Sequence, residues 1–107
     1  MIVAFETEKL RTTCEDPQVA KKELGSAAAA QLRGRLADVR AAASTADLLV
    51  SNPRFAGALD QLLLIDLGEE GHMTWTANYV TARADEDGKT DWTRVSRVKL
   101  LGIEESR

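Results

Sequence analysis

Residues 16–43 constrain the fold of this chain more than any other segment, because they carry one long amphipathic helix pattern. Apolar side chains recur there at spacings of three and four, which places them on one helix face. They are Leu24, Ala28, Leu32, Leu36, Val39 and Ala43. Asp16 and Pro17 predict the start, since aspartate caps helices and proline suits a first turn. Gly25 and Ser26 interrupt the pattern and predict either a bend or two separate helices.

The N-terminal residues predict a strand followed by a short helix. Residues 2–5 form an apolar run in which Ile2, Val3 and Phe5 favour a strand. Residues 6–14 then predict a helix with Thr7 as its N-cap. A second short capped helix is predicted for residues 44–49, and a turn for residues 51–53.

The C-terminal half predicts three strands. Residues 59–67 end in an apolar run, and residues 72–80 alternate apolar and polar side chains. The glycine-containing residues 68–71 predict a hairpin turn between these two strands. A last strand is predicted to end near Ile103. The pattern indicates an α+β domain covering residues 1–107, with an N-terminal strand and helices packed on a small antiparallel sheet.

Composition excludes several classes of protein and site. The net charge of -3 argues mildly against a generic nucleic-acid binder, whose affinity depends on neutralising phosphates. The single cysteine, Cys14, excludes an internal disulfide, favours a reducing compartment and is expected to be a buried structural thiol. One cysteine and one histidine allow no zinc site of several Cys and His ligands. No apolar run approaches the roughly 20 residues of a membrane helix, and residues 1–6 do not resemble a signal peptide, so a cytoplasmic protein is expected.

A family resemblance covers most of the chain and is most specific near the C-terminus. Residues 85–95 (Asp-Glu-Asp-Gly-Lys-Thr-Asp-Trp-Thr-Arg-Val) precede residues 98–105 (Val-Lys-Leu-Leu-Gly-Ile-Glu-Glu). This order resembles HigB-type toxins of the RelE superfamily, in which an acidic-glycine loop, an Asp-Trp-Ser/Thr-x-Val turn and a final Ile-Glu-Asp strand recur. The N-terminal strand, residues 32–38 (Leu-Arg-Gly-Arg-Leu-Ala-Asp) and residues 64–67 (Leu-Ile-Asp-Leu) are similar to that family too.

The resemblance implies a RelE-like fold and a toxin of a type II toxin–antitoxin pair. Such toxins bind the ribosomal A site and cleave mRNA without a metal or other cofactor. The expected partners are the ribosome, mRNA and a helix-turn-helix antitoxin of the HigA type, and no membrane. Cleavage by attack of a 2′-hydroxyl on the next phosphate needs a proton acceptor, a proton donor and cations that stabilise the phosphorane.

This sequence departs from the family pattern at the expected catalytic positions. Arg107 replaces the histidine with which the family often ends, and His72 stands where an aromatic-arginine pair is usual. Arg54 is the only cation in residues 52–61. The resemblance therefore predicts that Arg107 and Arg54 stabilise a phosphate and that His72 transfers a proton. The alternative for His72 is a strand residue beside a turn, without a chemical role.

Basic residues near the C-terminus form the candidate RNA-binding set. They are Arg83, Lys89, Arg94, Arg97 and Lys99, and their alternative role is that of a solvated surface. Trp75 is expected in the core, and Trp92 is expected to anchor the acidic loop. Three functions stay open: a ribosome-dependent mRNA endonuclease, a catalytically silent RelE-like module that binds a protein partner, and an unrelated small binding domain.

Overall fold

The computed structural model describes residues 1–48, 53–81 and 83–105, which form three α-helices and a five-stranded mixed sheet. The helices are α1 (Glu8–Glu15), α2 (Pro17–Leu24) and α3 (Ser26–Ala41). The strands are β1 (Ile2–Phe5), β2 (Arg54–Ala56), β3 (Leu62–Asp66), β4 (Gly71–Ala77) and β5 (Arg97–Glu105). Within these described ranges, no helix combines the length and the apolar character needed to cross a membrane. The predicted α+β class is confirmed.

The sheet has the strand order β1-β5-β4-β3-β2, and it is mixed, whereas an antiparallel sheet was predicted. Strands β2 to β5 pair antiparallel, but β1 lies parallel to β5, with Ile2 opposite Arg97 and Phe5 opposite Leu100. Two strands joined directly by a hairpin must pair antiparallel. Strands β1 and β5 are not joined in this way, because all the helices and three strands separate them in the chain. The two strands are therefore free to meet in parallel.

The helix boundaries follow from capping groups. The Thr7 hydroxyl accepts a hydrogen bond from the Leu10 amide at 3.1 Å, and the Asp16 carboxylate accepts one from the Gln18 amide at 2.9 Å. Both predicted N-caps are thus confirmed. Gly25 ends α2 with φ +87°, a conformation that glycine adopts without strain, and α3 begins at the next residue. The interrupted pattern therefore marks two helices rather than a bend.

The core lies between α3 and one face of the sheet. The helix contributes Leu32, Leu36 and Val39, and the strands contribute apolar side chains that alternate along each strand. These are Leu63, Ile65, Met73, Trp75, Val98 and Leu100, all fully buried. Ala43, predicted as the last member of the helix stripe, is exposed because α3 ends at Ala41, and Ala42 is buried instead.

The two tryptophans are buried, whereas Cys14, which was expected to be buried, is only half-buried. Trp75 is fully buried in the core. Trp92 is also buried, and its indole N–H donates to the Asp60 carbonyl at 2.8 Å while its ring stacks on Phe55 with centroids 5.4 Å apart. Partial burial raises the pKa of the Cys14 thiol to about 11. A thiol with that pKa is almost wholly protonated at neutral pH, as a structural cysteine should be.

Short elements account for most of the wrong predictions. The helix predicted for residues 44–49 is a single 3-10 turn, Thr45–Asp47, while Leu49 and the predicted turn residues 51 and 52 lie outside the described residues. Strand β2 was not predicted at all. Strand β3 begins at Leu62 rather than at residue 59, because Leu59 and Asp60 take left-handed φ values of 56° and 52°. A strand cannot include two consecutive residues in that conformation.

Gly34 offers a simple test of the helical packing, because α3 contains it in its interior. A Cβ atom built at Gly34 has no neighbour within 4 Å, so an alanine fits there without displacing any atom. Glycine in a helix interior is less favourable than alanine by roughly 0.5–1 kcal/mol. We expect Gly34→Ala to raise the free energy of unfolding by about that amount in urea titrations. A loss of stability would show that α3 packs more tightly at this point than described.

Candidate nucleic-acid interface

The main candidate site is an open cleft of about 570 Å³ where β4 ends and β5 begins. We call it the arginine cleft; it is lined by Asn78, Tyr79, Val80, Arg83, Arg94, Ser96 and Arg97. The Asn78 amide donates to the Arg97 carbonyl at 2.9 Å, which holds the two chain segments together beyond the end of β4. Among these described lining residues there are three guanidinium groups and no carboxylate. The cleft is therefore a local positive surface on an acidic chain.

The three arginines reach the cleft from different segments. Arg97 is the first residue of β5, and Arg94 ends the 3-10 turn that begins at the buried Trp92. Arg83 belongs to the loop after β4, and the Asp91 amide donates to its carbonyl at 2.7 Å. The Asp91 carboxylate also accepts a hydrogen bond from the Thr93 amide, so one residue supports both loops. The buried Trp92 and these hydrogen bonds fix the backbone positions from which the Arg83 and Arg94 side chains extend.

Tyr79 forms the centre of the arginine cleft. Its hydroxyl accepts a hydrogen bond from the Ser96 amide at 2.7 Å and lies 3.1 Å from the Ser96 hydroxyl. The Arg83 guanidinium carbon lies 4.2 Å from the centroid of the Tyr79 ring, a distance typical of cation–π contact. Desolvation acts to raise the pKa of Tyr79, but the hydrogen bonds from Ser96 and Arg83 outweigh it and lower the pKa below 10.0.

The titration of Tyr79 can be measured directly because it is the only tyrosine in the chain. We expect its phenolate absorbance near 295 nm to develop with a midpoint below 10.0, since the surrounding donors favour the charged form. Arg83→Ala should move that midpoint upward, whereas Lys22→Ala, which removes a charge on α2, should leave it unchanged. A wild-type midpoint at or above 10.0 would contradict the described hydrogen bonds.

A second cleft adjoins the first and has different chemistry. We call it the threonine cleft; it measures about 320 Å³ and is lined by Leu59, Gln61, Thr76, Ala77, Tyr79, Val80, Arg83, Gly88 and Thr90. Tyr79, Val80 and Arg83 line both clefts and separate them. Apart from this shared wall, the described lining consists of hydroxyl, amide and apolar groups. The two clefts thus place a cationic surface beside an uncharged one.

The predicted RNA-binding residues divide into two groups. Arg83, Arg94 and Arg97 meet in the arginine cleft. Lys99 lies further along β5 and forms an ion pair with Glu6 at 2.9 Å, while Lys89 is exposed in the acidic turn, outside the lining of the cleft. Sequence reasoning missed Tyr79, because it was read as one more residue of the strand over residues 72–80. The available signal was that Tyr79 lies two residues after Ala77, the last apolar residue of the predicted alternation, and so near the end of the strand.

Two of the predicted catalytic residues, His72 and Arg54, lie at the other end of the sheet. His72, half-buried near the start of β4, faces Asp66 on one neighbouring strand and Glu104 on the other. Arg54 forms an ion pair with Asp66 at 2.8 Å. His72 precedes Asn78 by six residues, which places it about 20 Å from the arginine cleft along an extended strand. Arg107, the third predicted catalytic residue, lies outside the described residues.

The acidic surroundings of His72 limit what this end of the sheet can do chemically. The Cβ atoms of directly opposite residues in a sheet lie about 5 Å apart, so His72 has an acidic residue beside it on each neighbouring strand, Asp66 and Glu104. Carboxylates repel a phosphate brought to the same place, although the Asp66 carboxylate is paired with Arg54. Across the described ranges, no group of three His, Cys, Asp or Glu side chains is arranged to hold a metal ion.

Comparisons of the chain with protein-family models, with curated proteins and with solved structures found no match. The HigB resemblance therefore depends on the sequence segments that suggested it. Function has to be argued from the clefts and from the charges around them.

Proposed function

We propose that this protein is a HigB-type toxin of the RelE superfamily that contacts RNA through the arginine cleft. The observation that supports the proposal is the meeting of Arg83, Arg94 and Arg97 in one cleft without a described acidic lining residue. Guanidinium groups bind phosphates through paired N–H donors, and their charge does not titrate near neutral pH. In a chain of net charge -3, this concentration of positive charge gives RNA a preferred place to bind.

The proposed activity is ribosome-dependent cleavage of mRNA, and the proposed partner is a helix-turn-helix antitoxin that covers the toxin. The arginines would neutralise phosphates of the RNA backbone. Phosphate neutralisation is a large contribution to the affinity of proteins for nucleic acids. Tyr79 adds an aromatic ring with a phenol of lowered pKa inside the same cleft. Within the described residues, His72 and Arg54 remain the proposed catalytic residues. They lie at the end of the sheet away from the arginine cleft.

A second candidate function is a catalytically silent RelE-like module that binds RNA or a protein partner without cleaving. The observation that favours it is the position of His72 between Asp66 and Glu104. These two acidic residues beside the imidazole oppose the approach of a phosphate, and Asp66 also engages Arg54, the one cation described near His72 at this end. This arrangement suits a structural sheet face better than a centre that must stabilise an extra negative charge.

The deciding experiment is induced expression in a bacterial host, with and without the adjacent open reading frame. Growth, bulk translation and the integrity of a reporter mRNA are measured together. The double variant Arg83→Ala/Arg97→Ala removes two charges from the cleft, and Lys22→Ala/Arg33→Ala removes two exposed charges from the helices as a matched control. His72→Ala tests the chemical step separately.

For an active toxin we expect growth arrest, cut mRNA and relief by the neighbouring protein. The arginine double variant should abolish arrest, and the helix double variant should retain it. Arrest without cut mRNA, unchanged by His72→Ala, would favour the silent module. If the folded arginine double variant arrests growth as strongly as the wild type, the arginine cleft is not the RNA contact.

A further inference from the structure

We infer that the arginine cleft and the threonine cleft are two compartments of one site that holds a single unstacked nucleotide. The phosphate lies in the arginine cleft, and the base lies in the threonine cleft. This inference rests on the proposed function, since it takes RNA as the ligand. The inference adds that the site binds a base as well as a phosphate, at the end of the sheet away from His72.

The shared wall is the first argument. Tyr79, Val80 and Arg83 face both clefts, so a ligand that enters one compartment touches the boundary of the other. The guanidinium of Arg83 already lies against the ring of Tyr79. Planar aromatic and guanidinium groups are the surfaces on which unpaired RNA bases stack. Val80 is fully exposed on this wall, although no folding requirement places an apolar side chain there.

The chemistry of the threonine cleft is the second argument. Its volume of about 320 Å³ lies at the lower end of the range usual for small-molecule sites, roughly 300–1,000 Å³. The Gln61 side-chain amide offers a donor and an acceptor, and the Thr90 hydroxyl offers both. The Thr76 hydroxyl donates its hydrogen to the Gln61 carbonyl and offers an acceptor. Leu59 and Val80 supply apolar contact. A base presents donors and acceptors at its edge and apolar faces, so it matches this lining better than a phosphate does.

The rigidity of the threonine cleft is the third argument. The Thr90 amide donates to the Leu59 carbonyl at 2.9 Å, and the Thr76 hydroxyl donates to the Gln61 carbonyl at 3.3 Å. The Trp92 indole holds the Asp60 carbonyl between them. Three successive carbonyls are thus fixed by hydrogen bonds, and Leu59 and Asp60 keep their left-handed conformation. A wall fixed in this way holds the backbone of Gln61 in place before a ligand arrives, which reduces the entropy that binding costs.

The test compares binding of two labelled RNA hexamers to the full chain by fluorescence anisotropy. One hexamer is intact, and the other has the same backbone without bases. Arg97→Ala changes the arginine cleft, and Gln61→Ala changes the threonine cleft. Gln18→Ala, an exposed glutamine on α2, is the matched control for Gln61→Ala. Urea unfolding of each variant confirms that it is folded.

We expect the intact hexamer to bind more tightly than the abasic one. Gln61→Ala should weaken the intact hexamer about fivefold to tenfold, the effect of one or two lost hydrogen bonds, and leave the abasic hexamer unchanged. Arg97→Ala should weaken both hexamers by the same factor and reduce the salt slope by about one. Gln18→Ala should change neither.

The outcomes separate the two proposals. If both hexamers bind equally and only Arg97→Ala weakens them, the base compartment is overturned while the RNA contact stands. If Gln61→Ala weakens both hexamers alike, the threonine cleft does not read a base. If neither hexamer binds and the arginine double variant still arrests growth, both the inference and the proposed RNA contact fail.

Discussion

Gly71→Ala is expected to destabilise the fold by roughly 4 kcal/mol, which is the combined effect of backbone strain and steric overlap at one position. Gly71 has φ +144°, a value that residues with a Cβ rarely adopt. A Cβ atom there would overlap the Glu104 carbonyl oxygen and lie 2.9 Å from the Glu105 Cα. Both are backbone atoms of the neighbouring strand, so no side-chain rotation relieves the overlap.

Gly102→Ala is the control for this prediction, because it lies in the same pair of strands. Gly102 faces Thr74 on β4, and a Cβ atom built there meets no atom within 4 Å. Urea unfolding followed by tryptophan fluorescence should give Gly102→Ala a stability within about 0.5 kcal/mol of the wild type. Equal losses for both variants would mean that β4 and β5 pair less closely at Gly71 than described.

Trp92→Ala is expected to cost about 3–5 kcal/mol of stability, in the range for loss of a large buried aromatic side chain. The variant loses the buried indole, its stacking on Phe55 and the hydrogen bond to the Asp60 carbonyl. We expect it to weaken RNA binding as well, because Trp92 begins the turn that carries Arg94 and fixes a wall of the threonine cleft. Thermal unfolding and the anisotropy assay measure the two effects.

Comparing Trp92→Phe with Trp75→Phe isolates the hydrogen bond. Both tryptophans are buried, but the Trp75 indole nitrogen has no hydrogen-bond partner among the described residues. Phenylalanine keeps an aromatic ring at either position and removes the indole N–H. The substitution at 92 should therefore cost about 1 kcal/mol more than the one at 75. A larger loss at residue 75 would show that cavity formation outweighs the hydrogen bond.

The parts of the fold that local patterns specify were predictable from the sequence. Asp16 and Pro17 mark the start of α2, and the glycines at 68 and 71 mark the β3–β4 turn, because capping and turn chemistry act over a few residues. The parallel pairing of β1 with β5 was not predictable in the same way. It joins residues nearly the whole chain apart, and no local pattern distinguishes a parallel partner from an antiparallel one.

The candidate site was predictable only in part, for a similar reason. Arg83, Arg94 and Arg97 were recognised as basic residues, but their meeting depends on how two loops fold over Tyr79. Strand β2 was missed because three residues are too few to show an alternating pattern. The wall of the threonine cleft depends on left-handed backbone at Leu59 and Asp60, and leucine does not usually adopt it.

The position of β5 between β1 and β4 has a consequence for synthesis on the ribosome. Ile2 leaves the ribosome before its described partner in the sheet, Arg97, which is made about 95 residues later. At roughly 5–20 residues per second, β1 waits on the order of 5–20 s before β5 can pair with it. The helices and the β3–β4 hairpin can form during that time, but β5, which joins β1 to β4, cannot. Stalled nascent chains that lack β5 should therefore expose β1 and remain sensitive to protease until that strand emerges.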